Sequence, residues 1–107
     1  MVVNRFDVWL VDLDPVKGSE ISKTRPCLII SPDEANRHLN TVIVTAMTTA
    51  QKNFPTRVDG VFKRKKGQIA LDQIRTIDKM RLVKKLGAMN EAVNKKVSEF
   101  LVNIFSY

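Results

Sequence analysis

The sequence predicts a mostly β fold: about five short antiparallel strands curled into a small open barrel and closed by one C-terminal α-helix. Three observations carry this expectation. Short apolar runs rich in β-branched residues recur along the chain, separated by Pro, Gly, Asn and Asp. These runs follow one another closely, which favours antiparallel pairing within one small sheet. Near the end the apolar spacing changes: Val93, Val97, Phe100, Leu101, Ile104 and Phe105 fall on one face of a helix.

Each element has its own signal. Phe6 to Leu13 alternates and reads as a strand, stopped by Asp14-Pro15 and turned by Gly18. Pro26 to Ser31 is almost wholly apolar, as expected of a central strand buried on both faces. Ser31-Pro32-Asp33-Glu34 reads as a helix start, with Ser31 as N-cap and one or two turns reaching about Leu39. Thr41 to Met47 is a strand, Thr48 to Pro55 a loop, and Thr56 to Phe62 a hairpin arm. Gln68 to Ile77 is another strand, with Ile69 and Leu71 on one side. Asn90 is the expected N-cap of the last helix, with Glu91 favourable in its first turn.

A chain of 107 residues is expected to form a single domain over residues 1–107. No run approaches the length of a membrane span. The start of the chain lacks a signal-peptide pattern. The lone Cys27 sits in an apolar run and reads as a small buried hydrophobe, in keeping with a cytoplasmic setting. The formal charge is +7. Nine basic and two acidic residues lie between Lys63 and Lys85, so that segment carries the whole excess. A concentration of this kind is the footprint of a face that binds a polyanion, with a solubilising surface as the alternative. The loop Asp12 to Glu20, followed by Thr24-Arg25-Pro26, places charges and hydroxyls between two apolar strands. Binding and catalytic groups favour such loops.

Several motifs in order resemble the MazF/PemK family of toxin endoribonucleases. They are Asp7 to Pro15, Gly18-Ser19-Glu20, Thr24-Arg25-Pro26, Ser31-Pro32, Thr45 to Thr49, and Asp72 to Asp78. The resemblance covers nearly the whole chain. It implies an SH3-like barrel with a C-terminal helix, working as a homodimer. It implies metal-independent cleavage of single-stranded RNA, chiefly messenger RNA, with no cofactor. The family's key arginine and threonine correspond to Arg25 and Thr48. Glu20 and the Asp72-Gln73 pair fall where relatives place assisting or substrate-contacting groups. Some members carry a His in the first loop and an Arg ahead of the Asp-Gln pair. Here Ser19 and Ala70 stand in those places, which argues against a His–Asp proton-transfer scheme.

Metal-free RNA cleavage uses the 2′-OH as nucleophile. It needs a base for that hydroxyl, an acid for the leaving 5′-oxygen, and stabilisation of charge on the phosphoryl oxygens. His38 is the only histidine, so a two-histidine mechanism within one chain is excluded, and its neighbours mark it as a surface residue. Arg25 suits charge stabilisation, since its planar fork matches two phosphate oxygens. The alternative for Arg25 is a structural ion pair with Glu20 or Asp72. Thr48 can donate a hydroxyl to a phosphate oxygen, or serve only as a strand-forming residue. Glu20 is the candidate base, or else an exposed loop carboxylate. RNA grip is expected from Lys17, Ser19, Lys23, Thr49, Lys52, Lys63 and Lys65, with Asp72 and Gln73 touching substrate. Phe54 is read either as a stacking platform for a base or as a plug beneath its loop.

Two rival classes share the barrel. One is a gyrase-poisoning toxin, whose aromatic tail pattern the ending Ile104-Phe105-Ser106-Tyr107 lacks. The other is an RNA-binding barrel without catalysis. The resemblance also implies a cognate antitoxin, expected to be an acidic, disordered segment that fills the RNA groove.

Overall fold

The computed structural model describes all 107 residues. Six strands form one sheet: β1 (Asp7–Asp12), β2 (Thr24–Ile29), β3 (Thr41–Thr48), β4 (Arg57–Phe62), β5 (Lys65–Asp78) and β6 (Leu82–Ala88). Their order is β4-β5-β3-β2-β1-β6, and every neighbouring pair is antiparallel. Helix α1 (Asp33–His38) links β2 to β3, and α2 (Glu91–Phe105) packs on β4 and β5. The two edges of the sheet bend towards each other. A Cβ on Gly87 of β6 would lie 3.3 Å from the Phe62 ring of β4, so the bare glycine lets them approach.

Two apolar clusters lie on opposite faces of the sheet. Cross-strand pairing sets Trp9 against Cys27 and Cys27 against Ala46, and all three belong to one cluster with Val11, Ile29 and Val44. The alternate residues Val8 and Leu28 pair in the second cluster with Ile69, Leu71, Val93 and Val97, beneath α2. Cys27, Leu28 and Ile29 are each fully buried, as expected of a central strand. Burying one such aliphatic side chain is worth about 1.5–3 kcal/mol. Burial pushes the Cys27 thiol up to about 12, against the pull of the Arg75 and Arg25 charges. The thiol therefore stays protonated, as a packing group rather than a nucleophile.

Three expectations change. There are six strands, not five. β6 escapes the pattern because it is a sheet edge, where only Leu82 is buried and Val83, Lys84 and Lys85 face water. Strand β1 begins at Asp7, because Phe6 turns the chain with φ 69. Ser31 does not cap α1. Pro32 occupies that position without a side-chain bond, while the Ser31 hydroxyl donates to Asn36 Oδ1 and accepts from Ile43 N–H at 3.0 Å. Ser31 thus ties α1 to β3. Asn90 does cap α2, its Oδ1 accepting from Val93 N–H at 3.0 Å. The apolar stripe of α2 is buried at Val93 and Val97, but Ile104 and Phe105 remain exposed.

Candidate active site

Three strand ends meet at one place. β2 and β3 run antiparallel, so the first residues of β2 lie beside the last residues of β3. β5 also runs against β3 and begins opposite its end, with Thr48 paired to Gln68. A cavity of about 310 Å³ opens there. β2 supplies Thr24, Arg25 and Pro26, with Lys23 just ahead of it; β3 supplies Met47 and Thr48, followed by Thr49. The β4–β5 hairpin supplies Phe62, Lys65, Lys66 and Gly67. No Asp, Glu or His lines the cavity, while four cations do. It is a concave site of one charge sign, built to attract an anion.

Arg25 is half-buried, and its Nε donates to the Ser22 carbonyl at 2.8 Å. That single bond fixes the guanidinium plane and leaves its two terminal nitrogens for a ligand. The ion pairs of the molecule are Arg57–Asp72 and Lys85–Asp7, so Arg25 is not tied to Glu20 or Asp72. Thr48 Oγ1 accepts from Ala50 N–H at 3.1 Å, which leaves the hydroxyl hydrogen to donate. A Cβ on Gly67 would meet the Thr48 carbonyl oxygen at 2.8 Å. Only glycine permits this approach of β5 to the end of β3.

The other sequence candidates divide. Lys23, Thr49 and Lys65 line the cavity with Arg25 and Thr48. Lys17, Ser19 and Glu20 do not. They lie exposed in the β1–β2 loop, where Glu20 Oε1 accepts from Lys17 N–H at 2.5 Å. Lys52 and Phe54 lie on the β3–β4 loop outside the lining. Phe54 is 52% exposed, so it plugs nothing; the Arg57 guanidinium stands 5.5 Å from its ring centre. Lys63 sits in the β4–β5 turn with its ammonium 5.8 Å from the Phe62 ring.

Asp72 and Gln73 are structural anchors, not part of the cavity wall. Asp72 accepts from Thr56 Oγ1 at 2.9 Å and from Arg57 Nε at 2.7 Å, which holds the end of the β3–β4 loop. Gln73 Oε1 accepts from Ile21 N–H at 3.1 Å, which holds the β1–β2 loop. The pair is adjacent in sequence because β5 runs between both loops. Thr24, Met47, Phe62 and Gly67 also line the cavity. Thr24 and Met47 lie within the motifs that carry Arg25 and Thr48, whereas Phe62 and Gly67 carry no chemical signal in the sequence and only strand register could have placed them there.

The basic segment is not one free face. The Arg75 guanidinium donates to the Leu13 carbonyl, Arg81 to those of Asp12 and Asp14, and Lys79 to that of Asn36. Lys85 pairs with the buried Asp7. These four charges brace the chain. Of the other cations in the segment, Lys63, Arg64, Lys65 and Lys66 lie on the β4–β5 hairpin, with Lys65 and Lys66 at the cavity, and Lys84 is exposed on β6.

The Asp72 anchor has a testable pH signature. Hydrogen bonds from Arg57 hold its carboxyl below the ordinary value of 3.8. A depressed carboxylate stabilises the fold above its unfolded pKa, and the contribution fades as pH falls through the lowered folded value. Asp72→Asn should therefore lower the urea midpoint at pH 7. The gap from wild type should narrow as pH drops below 3.8. A gap that stays constant on acidification would show that the charge is not what stabilises the loop.

Comparison with known proteins agrees with this geometry. Residues 4–105 match the family model described as PemK-like, MazF-like toxin of type II toxin–antitoxin system. A Bacillus subtilis (strain 168) protein named Endoribonuclease EndoA is 42% identical, over 94% of this chain and 92% of its own. The crystal structure of MazF (Form-I) from Deinococcus radiodurans has the same fold, with a TM-score of 0.87 over 100% of this chain and 99% of its own at 21% identity. A mycobacterial endoribonuclease in complex with its cognate antitoxin is 28% identical, covering 94% of this chain and 92% of its own, with a TM-score of 0.80. With the family match running almost end to end and the same half-barrel in the solved structures, the chain belongs to the PemK-like, MazF-like toxins of type II toxin–antitoxin systems.

Proposed function

We propose that this chain is a metal-independent endoribonuclease that cuts single-stranded RNA, messenger RNA above all, at short sequence motifs and so halts translation. One observation carries the reading: Arg25 is held by one backbone bond, has no carboxylate partner, and shares a cationic cavity with the Thr48 hydroxyl. A phosphodiester fits this arrangement. The Arg25 fork binds two phosphoryl oxygens, and Thr48 donates to one of them. The 2′-oxygen attacks phosphorus as its proton leaves, and the bond to the 5′-oxygen breaks with protonation of that oxygen. The products are a 2′,3′-cyclic phosphate and a 5′-hydroxyl. Negative charge grows on the phosphoryl oxygens in the transition state, where fixed cations act most strongly. Glu20 is the proposed base; the Lys17 amide holds its Oε1 and leaves Oε2 free to accept a proton.

The cations around the cavity also favour an acidic antitoxin segment in the same place, with the toxin acting as a homodimer in the cytoplasm. The mycobacterial complex with an antitoxin supports the partner, and the name of the Bacillus protein supports the chemistry. The test uses end-labelled single-stranded RNA with excess chelator. Discrete cuts bearing cyclic phosphate ends are expected, and a 2′-deoxy residue at the cut position should abolish them. Binding without cuts would instead favour the RNA-binding barrel that lacks catalysis.

A further inference from the structure

The geometry points to Gln68 as a positioning residue that sets the Thr48 hydroxyl through the β3–β4 loop. This inference rests on the nuclease reading above. Gln68 is 6% exposed, and three of the four hydrogen-bonding positions of its amide are used, both donors among them. Its Oε1 accepts from Lys52 N–H at 3.0 Å, and its Nε2 donates to the Lys52 carbonyl at 3.0 Å. The side-chain amide thus pairs with both backbone groups of one loop residue. The second Nε2 hydrogen goes to Asp59 Oδ1 at 2.9 Å, on the neighbouring strand β4.

Position makes this clamp relevant to chemistry. Gln68 lies directly opposite Thr48 in the β3–β5 ladder and opposite Asp59 in the β4–β5 ladder. Its neighbour Gly67 touches the Thr48 carbonyl, as any added Cβ there would show. Between Thr48 and Lys52 the chain has only three residues in which to move. One of them is Ala50, whose N–H fills a lone pair of the Thr48 hydroxyl. Fixing Lys52 therefore fixes Ala50, and Ala50 turns the Thr48 hydrogen outward. Buried amide pairs of this kind are costly to leave half-made, so the loop has one strongly favoured place. Gln68 itself does not line the cavity, so it acts through Thr48.

The test is a double-mutant cycle on RNA cleavage. Gln68→Met keeps length and apolar bulk but removes both bonds to Lys52. It should lower kcat about tenfold, leave KM within about twofold, and speed hydrogen exchange at the Lys52 amide. Gln68→Glu combined with Asp59→Asn keeps the acceptor for Lys52 N–H, avoids setting a second carboxylate 2.9 Å from Asp59 and loses the donor to the Lys52 carbonyl, so it should give a smaller loss of the same kind. In a Thr48→Val background, Gln68→Met should cost less than about twofold more, since the group it positions is gone. If the two losses multiply, or if kcat is unchanged in a folded Gln68→Met protein, the inference fails while the nuclease reading stands. A wild-type chain that cuts no RNA would remove the nuclease reading, and the inference with it.

Discussion

Replacing Arg25 with alanine should lower RNA cleavage about 10²–10³-fold while the protein stays folded, the range seen when one preorganised donor to a developing anion is lost. The fold should survive because Arg25 is half-buried and makes one side-chain bond, to the Ser22 carbonyl. Its removal strips no carboxylate of a partner. In fact it removes a positive charge from a cavity already lined by Lys23, Lys65 and Lys66, so mutual repulsion falls. Thermal stability should therefore be unchanged or slightly raised. Arg25→Lys should recover little activity, because a single ammonium cannot make the two parallel bonds of a guanidinium. The measurement is single-turnover cleavage alongside a thermal melt. Near-normal cutting by a folded Arg25→Ala protein would refute the assignment. Loss of folding would move Arg25 from chemistry to structure.

Much of this site was legible in the sequence, and the rest was hidden for identifiable reasons. Arg25 and Thr48 were legible through their motifs, and strand register brings them to the same cavity. Asn90 was legible as a helix cap because the capping bond is local. Ser31 misled for the opposite reason. Its hydroxyl bonds to Ile43, twelve residues away, and a long-range bond overrode the local pattern. The basic segment misled in a similar way. Composition counts charges, but Arg75, Lys79, Arg81 and Lys85 each found a backbone carbonyl or a buried carboxylate that only the folded chain supplies. Gln68 gave no signal at all, because its bonds run to a loop sixteen residues earlier. Glu20 was legible only as a motif residue; its exposure and its bond within its own turn are set by a loop whose shape the sequence does not give.

The turn between β4 and β5 leads to an expected result in which stability and binding move in opposite directions. Lys63 and Arg64 are its two central residues, with φ of 49 and 67. Tight hairpins need positive φ at both positions, and Asn-Gly is the favoured pair there. A side chain with a Cβ in that region costs about 1–2 kcal/mol. The chain thus carries two long cationic side chains where they are conformationally unfavourable. Both are exposed, and the flanking Phe62 and Lys65 line the cavity. Phosphate grip offsets the conformational cost if RNA leaving the cavity passes over this turn. The double substitution Lys63→Asn with Arg64→Gly should then raise the urea midpoint, by about 1–2 kcal/mol of stability. It should also weaken binding of RNA blocked by a 2′-deoxy residue at the cut site by about tenfold at low salt. The slope of log affinity against log salt should become shallower by about 1.4, since each phosphate contact on a single strand contributes about 0.7. Neither effect alone decides the matter. A gain in stability with unchanged affinity and slope would make the turn a tolerated strain with no part in binding. Loss of affinity with an unchanged slope would show that shape, not charge, is what the turn provides.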